Sequence, residues 1–495
     1  MTGTEEYHVI VVGGGAAGCV VAARLAETGS RSVLLLEAGP DLRASVPDTL
    51  RDGWRLTPEF DWDYASEPDP RGEVEDLRRG KLLGGTSWVT RFALRGSAAD
   101  YDEWEALGNG GWGFEDVLPY FRRLEADDDF GDRPWHGDAG PMPISRYLNL
   151  DLTEIGAAGL QAFEAVGFPL VEDHNQPGAV GAGRMPLSSR AGTRVTTADA
   201  YLPVDGTPPN LSIRADAQVA EVVFEETRAR GVRLVDGTVI EGDWVVLSAG
   251  TYGSPQILMR SGVGPAEHLH SLGLPVRLDL AGVGANLADH AGVDIDCGYR
   301  GPTRTAPILH LLATFHSSGS SSDDAPDLML WLSDPRGAPP IFELDIGLLR
   351  PRSRGSVRLR SPDPTDPPRI ELPGLRDPVD VERLAEAYVR GLEVTQRPEI
   401  RRLCADAPAP EARDGIELRD WIRTTSYSFP HVVGTCAMGP RPENGAVVDR
   451  SGRVHGMERL SVVDASVIPN APSGFTHLPT IMLAERLSEE IAAAT

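Results

Sequence analysis

Positive charge is what this chain has least of. It has one lysine, Lys81, among 47 basic residues, against 73 acidic ones, and a net charge of −26. That balance excludes the broad basic surface that nucleic acid or an anionic membrane would need, since both repel negative protein. The preference for arginine over lysine reads as the composition of a GC-rich bacterial genome. Cysteine is scarce as well: Cys19, Cys297, Cys404 and Cys436 lie far apart with no C-x-x-C spacing, which argues against a metal site of zinc type and a disulfide framework. Reduced thiols fit a cytoplasmic protein. No apolar window of about 18 residues or more occurs, so no membrane insertion is expected. The start, MTGTEEYHVIVVGGG, has neither the basic region nor the long apolar core of a secretory leader.

What is present suits a large folded core. With 495 residues, 41% hydrophobic and 24% charged, the chain is long for one simple domain and suits two interlocked ones. Tyr7 to Val12 reads as a buried strand, Gly13 to Gly18 as a tight turn, Cys19 to Ala26 as a helix and Ser32 to Leu36 as a second strand. This is the front of a doubly wound α/β domain. An all-β region follows in mid-chain, where Gly231 to Val235 and Thr238 to Glu241 flank the hairpin signal Asp236-Gly237. Asp243 to Leu247 reads as another strand, and Ser254 onward as helix. Near the end, Leu460 to Val463 reads as a strand, and a helix from about Pro479 repeats Leu483, Leu487 and Ile491 on one face. Residues 301–375 are rich in Pro, Arg, Asp and Ser, and Ser317 to Ser322 is expected to be a mobile surface loop. No internal repeat is found.

Gly13, Gly15 and Gly18 spell G-x-G-x-x-G between strand and helix. The first glycine permits the turn, the second lets a pyrophosphate approach the backbone, and the third allows close helix–strand packing. The helix N-terminus then offers free N–H groups to the phosphates. Glu37, at the end of the second strand, is placed to accept hydrogen bonds from a ribose hydroxyl. At this level FAD and NAD both remain open.

Longer segments resolve the choice by resemblance. GGGAAG with EAGP, RGKLLGGTSWVTRFALRG (Arg79 to Gly96), AGTYGSPQILMRSGVGP (Ala249 to Pro265), GVGANLADH (Gly282 to His290), RPRSRGSVRLRS (Arg350 to Ser361), HVVGTCAMG and RVHGMERLSVVDASVIP resemble, in order, the segments of the glucose–methanol–choline (GMC) oxidoreductase family. The resemblance implies an α/β fold: a Rossmann-like FAD-binding domain with an inserted substrate-binding cap of antiparallel sheet and helices, the segment from Arg350 opening the cap's sheet. The expected division is 1–146, 197–296 and 441–495 for FAD, and 147–196 and 297–440 for the cap.

The resemblance also implies a cofactor site: Gly13, Gly14, Gly15, Ala16, Ala17 and Gly18 in the turn; Glu37 and Ala38 at the strand end; and Gly84, Gly85, Thr86 and Ser87 under the pyrophosphate and ribityl chain. Val219 resembles the residue that meets the adenine, and Thr90, Ala249, Asp464, Ala465, His477 and Thr480 complete the set. Asp464 beside phosphates requires hydroxyl or backbone N–H partners. The first signature departs from the family where Thr90 replaces Asn or His, and it is one residue shorter before Arg95-Gly96. Thr86 to Phe92 contains no histidine, so the FAD is expected to be non-covalent.

Oxidising an alcohol at a flavin requires loss of the hydroxyl proton and of a hydride. The cofactor takes the hydride, and the protein supplies orientation and a base. Histidine suits the second task because its pKa lies near working pH. Any one of 11 histidines is more often structural than catalytic, but His431 matches the family's base. His477, in SGFTHLPT, matches its partner, which orients the substrate oxygen; the two roles are interchangeable at this level. His290 and His455 read as structural, and His136 as a loop-packing residue. Trp331, Phe342, Phe429 and Phe475 are candidate pocket walls that favour an aryl or allylic alcohol over a sugar, with O2 or another acceptor taking the electrons. A cyanohydrin lyase, a fatty-acid photodecarboxylase and a flavin-binding scaffold are the alternatives, and monomer and dimer are both open.

Overall fold

The computed structural model describes residues 6–27, 29–52, 56–304, 307–405 and 415–495. Residues 1–5 of the segment read above for a leader lie outside it.

The first strand, Glu6–Val12, has its last four residues almost wholly enclosed. A strand apolar on both faces belongs in the middle of a parallel sheet covered on two sides. It pairs in parallel with Val33–Leu36 on one side and Val239–Leu247 on the other. Leu211–Arg214 and Leu460–Val462 extend the parallel core. The mid-chain hairpin turns at Gly237, whose φ is +88°. Its strands Arg228–Leu234 and Val239–Leu247, with Val219–Glu225, form an antiparallel flank of this same sheet. The two short strands expected after Gly237 are therefore one strand, whose second half carries the parallel pairing.

The helix Ala16–Glu27 packs against the last helix, His477–Ala494, whose Leu483, Leu487 and Ile491 are buried in the core. Glu485, on that helix and fully buried, accepts from Arg24 and Arg123 at 2.8 Å each and from the Tyr201 hydroxyl at 2.7 Å. The carboxylate is thus fully matched, as burial of a charge demands.

The second sheet has six antiparallel strands in the order Tyr427–Val433, Ala288–Gly298, Ile341–Leu348, Leu328–Ser333, His310–Phe315 and Gly181–Arg184. Alternation along each strand gives it two apolar faces. Val293, Ile295, Leu330 and Leu344 face the helices Glu154–Ala165 and Pro378–Thr395. Leu312, Met329 and Trp331 belong to a different cluster, with Phe92, Phe429 and Phe475. The strand Ala288–Gly298 straddles the expected domain boundary at 296/297.

Arg350 to Ser361 does not open this sheet. Among the described residues its strand Ser356–Arg358 pairs with Arg369–Glu371 in a separate two-stranded sheet, and Val357 packs with Tyr252 and Leu287. Arginine at alternate positions keeps that segment half-exposed. The serine run is anchored at its start: the backbone N–H and hydroxyl of Ser317 donate to the Asp327 carboxylate at 2.7 and 2.6 Å.

His136 does more than pack a loop. It sits in a buried charge network, with Nδ1 2.7 Å from Glu125 and Nε2 2.9 Å from Asp173. Arg95 pairs with the same Glu125, and Arg146 reaches Asp127 at 2.8 Å and Asp173 at 2.7 Å. Burial lowers the His136 pKa, but the bonds to Asp173 and Glu125 outweigh it and the net shift is upward. The network ties residues 95, 125–127, 136, 146 and 173 together. Among the described residues no helix is long and apolar enough to cross a membrane.

Candidate active site

The glycine turn is filled on one side and open on the other. A Cβ at Gly18 would fall 1.8 Å from the carbonyl oxygen of Gly13, so only glycine lets the helix sit this close. A Cβ at Gly15 would meet nothing within 4 Å, although a Cβ at Gly85 would fall 2.8 Å from the Gly15 Cα. The Gly84 N–H donates to the Gly14 carbonyl at 2.7 Å, locking the two glycine segments together. The helix behind the turn begins at Ala16 and Ala17 with no acidic residue in its first turn. An open glycine at an uncompensated helix N-terminus fits a pyrophosphate.

Glu37 accepts from the Gly14 N–H at 2.8 Å and from the Gly39 N–H at 2.9 Å, so its carboxylate is fixed beside the turn, with Ala38 half-buried next to it. Burial raises its pKa against the pull of those N–H groups. Ser87 donates to the Gly84 carbonyl at 2.5 Å, and Thr86 accepts from the Gly80 N–H at 3.3 Å. Asp464 has the partners it requires: the Gly250 N–H at 2.9 Å, the Ser254 hydroxyl at 2.5 Å and the Ser466 N–H at 2.8 Å. Ala249 donates to Ser254 at 3.1 Å, and Ala465 opens the turn after Asp464. Val219 is buried at the start of its strand, and the Thr480 hydroxyl donates to the Thr476 carbonyl at 2.6 Å.

His431 stands on the edge strand Tyr427–Val433. Its backbone N–H donates to Asp289 at 2.9 Å, and the Ser428 hydroxyl donates to the same carboxylate. Burial, partly offset by Ser428, pushes Asp289 up to about 8. His431 is half-buried as a residue, and its Nδ1 lies 3.1 Å from Nδ1 of His290. Burial, then the neighbouring His290 and Arg79, hold the His431 pKa well below its ordinary value, so the ring is neutral and can accept a proton.

His477 is the first residue of the last helix and is buried. Its Nε2 meets no hydrogen-bond partner among the described residues. Burial, with Arg194 nearby, pulls its pKa down to about 4. A neutral imidazole with an unmatched buried nitrogen suits an oxygen ligand.

Three of the four expected wall residues gather beside His431. The Phe475 ring lies 4.6 Å from the His431 ring, and Phe429 stacks on it at 6.1 Å and 15°. Trp331 lies 6.0 Å from Phe475. Phe92, which follows the half-buried Thr90 in the first signature, closes the group at 4.7 Å from Trp331 and 5.2 Å from Phe475. Phe342 is not among them. Alternation turns it, with Leu344 and Ile346, into the helix-side core, where it meets Tyr299 at 6.4 Å. Phe92, Asp289 and the contact made by His290 were not anticipated, although all three residues lie inside segments that carry the family resemblance.

The family model described as GMC oxidoreductase matches residues 7–292 with its N-terminal part and 351–484 with its C-terminal part. The chain is 34% identical to a 5-(hydroxymethyl)furfural oxidase of Methylovorus sp., covering 98% of both. It is 34% identical to an oxygen-dependent choline dehydrogenase of Paraburkholderia phymatum, covering 98% of this chain and 92% of that one. Pyridoxine 4-oxidase from Mesorbium loti superposes with a TM-score of 0.90 at 30% identity over 98% of each chain. With the glycine cradle, the neutral histidines and matches along nearly its whole length, the chain belongs to the GMC oxidoreductase family and is an FAD-dependent enzyme that oxidises CH–OH groups.

Proposed function

We propose that this enzyme oxidises an aryl or allylic primary alcohol, with His431 as the base and His477 as the donor that orients the substrate oxygen. Bound FAD supplies the hydride acceptor. The observation that carries the reading is the aromatic enclosure of His431: Phe475 at 4.6 Å and Phe429 at 6.1 Å, continued by Trp331 and Phe92. Such walls hold a planar ring and offer few partners to the hydroxyls of a sugar. Burial keeps both imidazoles neutral, so His431 can take the hydroxyl proton while an N–H of His477 meets the oxygen. The relative named for a hydroxymethylated furan supports the same substrate class, and relatives named as oxidases support O2 as the acceptor. The four buried thiols suit a reducing cytoplasm.

The test is a panel of alcohols mixed with the holoenzyme under argon. Benzyl alcohol and 5-(hydroxymethyl)furfural should bleach the flavin faster than glucose or a short aliphatic alcohol. Faster bleaching by glucose would refute the aromatic assignment. Peroxide formation in air reads the acceptor.

A further inference from the structure

Resting on the reading of His431 as the base, we propose that His290 is a positioning residue that fixes the tautomer of His431, leaving the lone pair on Nε2. The hydrogen bonds of His290 set the direction of each contact in turn. Nε2 of His290 lies 3.1 Å from the carbonyl oxygen of Pro472. A carbonyl only accepts, so this nitrogen carries a proton. His290 is buried and uncharged at neutral pH, and a neutral imidazole has one N–H. Its Nδ1 is therefore an acceptor. The atom facing it is Nδ1 of His431, at 3.1 Å, with the two rings at 74° and their centroids 5.1 Å apart. His431 must donate there, and its single proton is spent on Nδ1. Nε2 is left as the basic nitrogen. When Nε2 takes the hydroxyl proton, the imidazolium keeps its Nδ1–H bond to His290, so no proton has to rearrange on either ring.

The same strand holds His431 at a second point. Asp289, next to His290, accepts the backbone N–H of His431 at 2.9 Å and the hydroxyl of Ser428. Two consecutive residues therefore fix the backbone and the ring of the base. A merely structural histidine would need only its backbone contacts, to Pro472 and Leu349, and not the one to His431. Partners that fix the tautomer of a metal-bound imidazole are worth about 10- to 100-fold in affinity or activity, and the same size of effect is expected for this base.

Two measurements on the FAD-loaded enzyme test this. The first labels histidine nitrogen with 15N and reads the His431 ring by long-range 1H–15N correlation, with His431→Gln used to assign its signals. The proposal expects a protonated Nδ1 and a bare Nε2 in the wild type, and a shift toward the Nε2–H form in His290→Leu. The second follows anaerobic flavin reduction by benzyl alcohol. His290→Leu should be slower by about 10- to 100-fold. His290→Gln, whose amide offers an acceptor to His431 and a donor to Pro472, should recover most of the rate. A wild-type spectrum with the proton on Nε2 overturns the proposal, as does a His290→Leu variant with unchanged spectrum and rate, or a His290→Gln variant as slow as His290→Leu. The wild-type spectrum decides even if the leucine variant does not fold. It is also independent of the base assignment, which fails separately if His431→Gln reduces at the wild-type rate.

Discussion

His174 should make the stability of this enzyme depend on pH in a way that can be isolated by one substitution. It is buried beside the strand Gly181–Arg184, and burial pulls its pKa down to about 4, against backbone groups of Gly183 and Leu312 and the charge of Asp173. The unfolded chain titrates this residue near 6.5. Between these two values the unfolded state holds the extra proton, so its contribution to stability is intact above about pH 6.5 and is lost as pH falls toward 4. At about 1.4 kcal/mol per pH unit, moving from pH 7 to about pH 4.5 removes about 2 kcal/mol. His174→Gln cannot take up the proton and should lose that much less over the same interval, whatever fixed cost it carries at both pH values. Comparing the two proteins matters because other groups pull the opposite way: Asp289, raised to about 8, favours the folded state as pH falls. The assay is urea unfolding of both holoenzymes at the two pH values. Equal losses in wild type and variant would mean instead that His174 charges as readily in the folded protein as in the unfolded chain.

Other consequences follow from the same geometry. With burial holding His431 below its ordinary value, the rate of flavin reduction should stay flat as pH falls to 6.5 and decline only below it; a limb centred at or above 6.5 contradicts this. Glu125→Gln leaves Arg95 and His136 with a weaker buried partner and should cost about 3–5 kcal/mol in urea unfolding, whereas an unchanged midpoint would show that the network is dispensable. Because Thr86 to Phe92 contains no histidine, acid precipitation should release the yellow colour into the supernatant, and colour kept in the pellet would contradict non-covalent FAD.

The parts of this molecule that were legible in the sequence are those set by local pattern. Gly13, Gly15 and Gly18 announce their turn because each fills a different steric role within six residues. Asp236-Gly237 marks its hairpin because few other pairs accept the turn's backbone angles. Leu483, Leu487 and Ile491 give the buried side of the last helix by spacing alone. What depends on distant register was not legible. Phe342 is as aromatic as Phe475, and only the pairing of Ile341–Leu348 with its neighbours turns it to the helix side. His290 meets His431 across a separation of 141 residues, through pairing that sets His290 opposite Phe429. His136 gave no sign of the five charged residues around it, because they come from four separate stretches of chain.

In the proposed mechanism two neutral imidazoles share the work of removing the hydroxyl proton. Anaerobic stopped-flow reduction of His431→Ala and His477→Ala, with FAD content measured on the same samples, tests it most directly. Each variant should retain its flavin and be reduced about 10²- to 10⁴-fold more slowly than the wild type. Full flavin content with near-wild-type reduction in both variants would contradict the account.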